Sequence, residues 1–192
     1  LLGTDPVIFF ESQRIYDQPE LFHAGGVPTE AYEILIGEPD VKKVGSDLTI
    51  LSIGATLYRA LDAAKELEEK HGISCEVIDA RSIVPFNFSK VIESVTKTRK
   101  ILLISDACER GSALQTFASK ITQFAFDELD GPPVVVGARN WITPADEIED
   151  AFFPQPSDIL DAVHEHILPL KQYTPARECS TSDLLRRSAI GV

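Results

Sequence analysis

Two kinds of apolar pattern alternate between Asp47 and Ile167. Short, nearly unbroken apolar runs occur at Asp47–Ile53, Ser74–Asp79, Lys100–Ser105 and Pro133–Gly137. Between them, apolar residues return every three or four positions: Leu57, Leu61, Ala64 and Leu67, then Val91, Ile92 and Val95, then Leu114, Phe117, Ile121 and Phe124. An unbroken run bounded by turn residues predicts a strand buried on both faces; three-to-four spacing predicts a helix with one apolar stripe. Predicted helices therefore run over Thr56–Lys70, from the turn at Pro85 through Val95, over Gly111–Leu129 and over Asp158–Ile167. Gly72 after His71 supplies a left-handed stop to the first, and Ser157 stands where a cap for the last is needed. Strands alternating with helices, each strand core apolar throughout, predict an α/β fold. It has three layers, α/β/α, around a mostly parallel, doubly wound sheet of about five strands.

The flanks read differently. Val7–Phe10 is a short apolar run after Asp5–Pro6 and predicts a buried strand. From Glu11 to Ser46 the chain is rich in Pro, Gly and charge and keeps no period. A structureless stretch of that length does not belong inside one compact domain, so it reads as a linker. The expected organisation is residues 1–16 as the end of a preceding domain, 17–46 as linker, 47–168 as the α/β domain and 169–192 as a polar arm. A helical turn is suggested at Asp183–Arg187 within that arm. With leucine first and no methionine anywhere, the sequence reads as a piece of a longer polypeptide.

Charge narrows the partners. Thirty acidic residues against eighteen basic ones give a net charge of −12. Paired cations occur only at Lys42–Lys43, Arg99–Lys100 and Arg186–Arg187, so nucleic acid and anionic membranes, which need a clustered cationic face, are disfavoured. No apolar run approaches the ~18–20 residues that span a bilayer. Cys75, Cys108 and Cys179 are distant and odd in number, which favours a reducing compartment over a disulfide framework or zinc knuckle.

Candidate chemistry is sparse. Ile53-Gly54-Ala55-Thr56 has one glycine where a dinucleotide fingerprint needs three, so Gly54 reads as a turn residue. Ser105-Asp-Ala-Cys-Glu-Arg-Gly111 follows the third strand; its Asp106, Cys108, Glu109 and Arg110 suit either the lining of a site or a clasp on a neighbouring subunit. Cys108 has no histidine nearby in sequence to act as a base. Glu76 and Asp79 lie three apart in one strand and face opposite ways, so they are no acid/base pair, and Asp79 with Arg81 reads as an ion pair or helix cap. His164 and His166 stand about 200° apart around a helix. They read as surface histidines, and His23 beside Gly25–Gly26 has no companion ligand. Trp141, followed by Thr143–Pro144, reads as a packing or interface residue. These residues assemble no catalytic constellation, cofactor cradle or metal-ligand set.

Several short motifs in order carry a resemblance. Gly45-Ser-Asp-Leu-Thr-Ile50, Glu76-Val-Ile-Asp-Ala-Arg-Ser-Ile-Val-Pro85 and Ser94-Val-Thr-Lys-Thr98 resemble a G-x-D-x-T strand, an E-V-I-D-L-R-T-x-x-P segment and an S-V-x-K-T helix. That series resembles the transketolase-type C-terminal domain of the beta part of thiamine-diphosphate-dependent 2-oxo acid dehydrogenases. Val7-Ile-Phe-Phe-Glu11 with Arg14-Ile-Tyr16 resembles the end of that family's pyrimidine-binding domain, and Ile142-Thr-Pro144, Glu149 and Phe153-Pro154 its closing pattern. Phe9-Phe10-Glu11 and Leu103–Ala107 are closer to the branched-chain type than to the pyruvate type. Ser105-Asp106-Ala107 and Gly111-Ser112 depart from the usual His-Glu-Ala and paired glycines.

The resemblance implies a component that decarboxylates a branched-chain 2-oxo acid or pyruvate and passes the acyl unit to lipoyl groups. Thiamine diphosphate and Mg²⁺ would serve the full-length enzyme and neither is expected on this piece, which carries over no catalytic residue and is expected to be inactive alone. Implied partners are a second copy, an alpha subunit or alpha-like domain, and a dihydrolipoyl acyltransferase core. Implied locations are bacterial cytoplasm or, in a eukaryote, the mitochondrial matrix. Alternatives are the C-terminal domain of a transketolase or deoxyxylulose-phosphate synthase, or a stand-alone dimerisation module of the same fold.

Overall fold

The computed structural model describes residues 6–8, 12, 15–16 and 29–176. The chain forms β1 (Asp40–Lys43), β2 (Leu48–Ile53), α1 (Thr56–His71), β3 (Cys75–Asp79), α2 (Ser89–Thr98), β4 (Ile101–Cys108), α3 (Ala113–Ala125), β5 (Val134–Ala138), α4 (Glu149–Phe152) and α5 (Pro156–His166). One five-stranded sheet results, in the order β1-β3-β2-β4-β5. β2 is parallel to β3 and β4, and β4 to β5; β1 alone runs antiparallel, against β3. The fold class is the one the apolar pattern predicts. After β3 the chain crosses back past β2, so the winding reverses between β2 and β4, the switch point of a doubly wound sheet.

Each face of the sheet has its own core. On one, Ile50, Val77 and Ile104 join Leu57, Ala60, Ala64 and Leu67 of α1 and Ile159, Leu160 and Val163 of α5. On the other, Leu51, Ile78 and Leu103 join Val91 and Val95 of α2 and Leu114, Phe117 and Ile121 of α3. Fully burying one such side chain stabilises by about 1.5–3 kcal/mol, so every crossover is held by several residues on its inner stripe.

Polar contacts lock the amino ends of the parallel strands. Buried Thr49 Oγ1 lies 2.7 Å from both Ser94 Oγ and Thr98 Oγ1, tying β2 to α2. Buried Glu76 accepts from Lys97 Nζ and from the Gly45 N–H at 3.3 Å. Asp47 accepts the Ser74 N–H at 2.7 Å. A Cβ on Gly45 would stand 2.2–2.4 Å from the backbone of Cys75 and Glu76, so only glycine admits this approach. Burial works against the Glu76 charge, but Lys97, Ser94 and the Gly45 N–H outweigh it and hold the carboxyl below the usual range.

Several expectations need correction. Val7 and Ile8 are exposed and outside any strand; Phe9 and Phe10 lie outside the described residues. Asp40–Lys43, read as linker, is an edge strand. Short and charged, it suits an edge and leaves no apolar run to read. Ser105–Cys108, read as loop, continues β4. Phe124 is 56% exposed, and Ala125 takes the inward position one turn beyond Ile121. α5 is capped not by Ser157 but by Gln155, whose N–H donates to Asp158 at 2.7 Å, with Pro156 at the first helical position. Residues 169–176, read as the start of a free arm, pack back on the domain through Leu170, which is buried. Asp183–Arg187 lies outside the described residues.

Candidate functional site

The carboxyl ends of β2, β3, β4 and β5 form one rim, where doubly wound sheets bind ligands. Its parts are three turns whose backbones the sequence shapes closely.

At β2, Gly54 adopts φ 78°, and a Cβ there would point at Asp106 Oδ1, 3.8 Å away. Thr56 closes the turn by donating to Ile53 O at 3.0 Å and sharing a 3.1 Å bond with Ser52. At β3, burial pushes the Asp79 carboxyl up, opposed by the Arg81 N–H, which donates to Asp79 Oδ1 at 3.1 Å. Arg81 takes a left-handed φ of 56° and sends its guanidinium to Asp40, not to Asp79 as the sequence suggested. The loop beyond is clasped to the chain ahead of β1: Asn87 N–H donates to Gly37 O at 2.8 Å, Asn87 Nδ2 to Glu38 Oε1 at 2.8 Å, and Lys90 Nζ to Pro39 O at 3.1 Å.

At β4 and β5 the register slips between Ile104 and Cys108, and the bulged chain crowds β5. A Cβ on Gly137 would stand 2.6 Å from Glu109 N and 2.8 Å from Ala107 O, so glycine is required there as well. Cys108 Sγ donates to Arg139 O at 3.4 Å, and the Glu109 N–H to Ala138 O at 3.3 Å. The Arg110 N–H lies 3.4 Å from Asn140 Oδ1. Arg139 stacks 6.0 Å above the Trp141 ring. The Cys108 thiol and the backbone N–H groups of Glu109 and Arg110 are thus engaged by the end of β5, and Cys108 faces a carbonyl, not a base.

The rim does not fit a diphosphate. The carboxylate of Asp106 faces the Gly54 turn at the switch point, where an anion would sit, and would repel it. Among the described residues, no group of three or more His, Cys, Asp and Glu is arranged for a metal ion.

What the rim offers is apolar surface. Ile34, Leu35 and Ile36 stand 52–76% exposed on one side of the Gly37–Asn87 clasp, and Ile83 and Val84 stand 49% and 86% exposed on the other. Trp141 and Ile142 add a second patch beyond β5. Exposed apolar residues concentrated in this way suit docking of another protein surface. Sequence reasoning singled out Trp141 here and missed Ile36, Ile83 and Val84, because neighbours in a loop carry no period. Elsewhere, Glu76 and Asp79 have separate partners: Glu76 takes Lys97 and the Gly45 N–H, and Asp79 the Arg81 N–H. His166 lies 3.7 Å from Glu165, whereas His164, read as a surface histidine, is half-buried and accepts the Leu170 N–H. His23 lies outside the described residues.

Known proteins share this architecture. A family model, the transketolase C-terminal domain, matches residues 37–159. The beta subunit of the pyruvate dehydrogenase E1 component of Bacillus subtilis (strain 168) is 33% identical over 162 residues, covering 84% of this chain and 48% of that one. The 2-oxoisovalerate dehydrogenase subunit beta of the same organism is 38% identical over 128 residues, covering 67% and 38%. A solved structure described as a split gene transketolase, inactive beta4 tetramer, matches with a TM-score of 0.58 at 26% identity, over 74% of this chain and 46% of that one. The chain spans about half the length, or less, of the relatives it matches.

Proposed function

This chain belongs to the transketolase C-terminal domain family, and on that premise we propose that it is the assembly domain of the beta part of a 2-oxo acid dehydrogenase. In the whole protein, thiamine diphosphate with Mg²⁺ would supply the decarboxylation chemistry on polypeptide other than these residues. The task of this domain is to present the rim. Its partners are a second copy, an alpha subunit or alpha-like domain, and a dihydrolipoyl acyltransferase core, in a bacterial cytoplasm or a mitochondrial matrix.

The observation that carries the reading is the division of labour along the strands. The motif residues Gly45, Thr49, Glu76, Ser94, Lys97 and Thr98 bond one another at the amino ends, while the opposite rim leaves apolar residues exposed. That lock holds the domain together, and docking is left to the free end. A branched-chain 2-oxo acid is the favoured substrate, supported by the 38% identity to the 2-oxoisovalerate relative.

The test joins the longest natural polypeptide containing this chain with its alpha partner, thiamine diphosphate and Mg²⁺. Decarboxylation of 2-oxoisovalerate faster than of pyruvate is expected. Transfer from a ketose phosphate with no 2-oxo acid decarboxylation would overturn the reading in favour of a transketolase. Val84→Asp or Ile142→Asp should lower the sedimenting mass of the assembly while leaving the circular dichroism of the chain unchanged.

A further inference from the structure

Beyond α5 the chain doubles back as a short strap. The N–H groups of Ile167 and Leu168 both donate to Val163 O and end the helix, and Gln172 turns the chain with φ 56°. Leu170 then enters the apolar cluster shared by α1 and α5, where it is 4% exposed. The strap's polar anchors run to two side chains three residues apart on α5. The Leu170 N–H donates to His164 Nδ1 at 2.9 Å. Asp161 Oδ1 accepts from both the Tyr173 hydroxyl, at 2.6 Å, and the Ala176 N–H, at 3.0 Å. The Tyr173 ring lies between two imidazoles, 5.8 Å from His71 and 5.4 Å from His164.

These anchors differ in one respect. A carboxylate goes on accepting throughout the neutral range, but an imidazole nitrogen accepts only while it carries no proton. We infer that residues 168–176 form a proton-released latch: protonation of His164 at Nδ1 replaces the acceptor with a donor, expels the Leu170 N–H and frees the strap from the α1–α5 seam. Release strips the seam of Leu170 and leaves its apolar lining open to solvent or to another protein surface.

Charged and polar groups face the strap from three elements. On α5 itself, Asp158 and Asp161 lie on the strap side and Glu165 is adjacent, paired with His166. From α1, Glu66 and His71 face Tyr173. The strap contributes the Tyr173 phenol, which burial and the bond to Asp161 keep protonated, and one cation, Lys171.

The experiment follows the complete chain, labelled with ¹⁵N at histidine, leucine and tyrosine, by nuclear magnetic resonance from roughly pH 8 to 5, where imidazoles change charge. Expected at the alkaline end is an unprotonated His164 Nδ1 and rigid ¹H–¹⁵N Overhauser values for Leu170 and Tyr173. Both values should fall to those of flexible chain in step with His164 protonation. Trypsin cleavage after Lys171 should accelerate about tenfold relative to an unstructured reference peptide at the same pH, since cleavage follows the open population. His164→Gln should abolish the pH dependence and His71→Gln should retain it. Strap amides that stay rigid while His164 titrates would overturn the latch, as would an H164Q chain that still releases at the unchanged midpoint.

Discussion

Lys97 Nζ stands 2.5 Å from Glu76 Oε2 although 21 residues separate them, and it reaches the carboxylate from the last turn of α2. Glu76 is 5% exposed, so the lysine is what makes a charge tolerable in the second position of a buried strand. Lys97→Met leaves that carboxylate with only the Gly45 N–H and Ser94, and should destabilise the domain by about 1–3 kcal/mol. Because the Glu76 carboxyl is held below its ordinary range, its contribution is fully present above the unfolded value of about 4.3. That contribution is lost as pH falls through the folded value. Urea denaturation at neutral pH should therefore separate wild type from the variant, and the gap should narrow below about pH 4. Adding Glu76→Gln to the variant should recover part of the loss, since no buried charge then remains.

The hydroxyl trio gives a second test. Thr49 bonds Ser94 and Thr98 at 2.7 Å with all three side chains buried. Thr49→Val keeps the shape and removes the shared partner, with an expected cost of about 1–3 kcal/mol from stranded hydroxyls. The triple change Thr49→Val, Ser94→Ala, Thr98→Val should cost less than the sum of its parts. Denaturant midpoints of the wild type, the three single variants and the triple variant check the sign of the coupling.

Gly137→Ala addresses the rim. The new methyl would meet Glu109 N and Ala107 O, both backbone atoms that yield only if the bulge moves. Overpacking of this kind costs about 1–3 kcal/mol. The amides of Ala107–Arg110 should lose hydrogen-exchange protection before the rest of β4 does, and uniform loss across the sheet would contradict a local origin.

Cysteine reactivity tests the core near the lock. Burial pushes the Cys75 thiol up to about 12, partly offset by Lys43. With so little thiolate, Cys75 should resist alkylation at pH 8 in the folded protein. In a Cys108→Ser, Cys179→Ser chain, labelling should track unfolding in urea; prompt labelling without denaturant would show the β3 end to be open.

Much of the fold was legible because its strands are buried on both faces and its helices carry one apolar stripe. Leu48–Ile53 and Leu57–Leu67 needed no tertiary information. β1 was illegible because Asp40–Lys43 is an edge strand held by backbone pairing to Val77–Asp79 and by ions such as Asp40–Arg81, none of which leaves a periodic trace. Phe124 misled because an aromatic residue at three-residue spacing looks inward; the helical row instead passes through Ala125, and Phe124 stacks on Phe88 at 5.6 Å beneath Lys120. At α5, the Gln155-Pro156 pair with Asp158 carried a readable cap that Ser157 obscured. The rim was the least legible region. Its shape depends on the close passage of Gly137 over Glu109 and on the Gly37–Asn87 bond, contacts between residues 28 and 50 positions apart that no local pattern encodes.

The reversed direction of β1 has a consequence for anything joined ahead of it. Asp40 pairs with Asp79 and Lys43 with Val77, so the polypeptide arrives at the top of the sheet and travels downward before β2 starts up again. A parallel first strand of the same length would have delivered the incoming chain to the far side of the domain, about 13 Å away at 3.3 Å per residue. Gly37, three residues ahead of β1, is thereby delivered beside Pro85 and Asn87, so the approach to the sheet is spent on the same rim that exposes Ile83 and Val84.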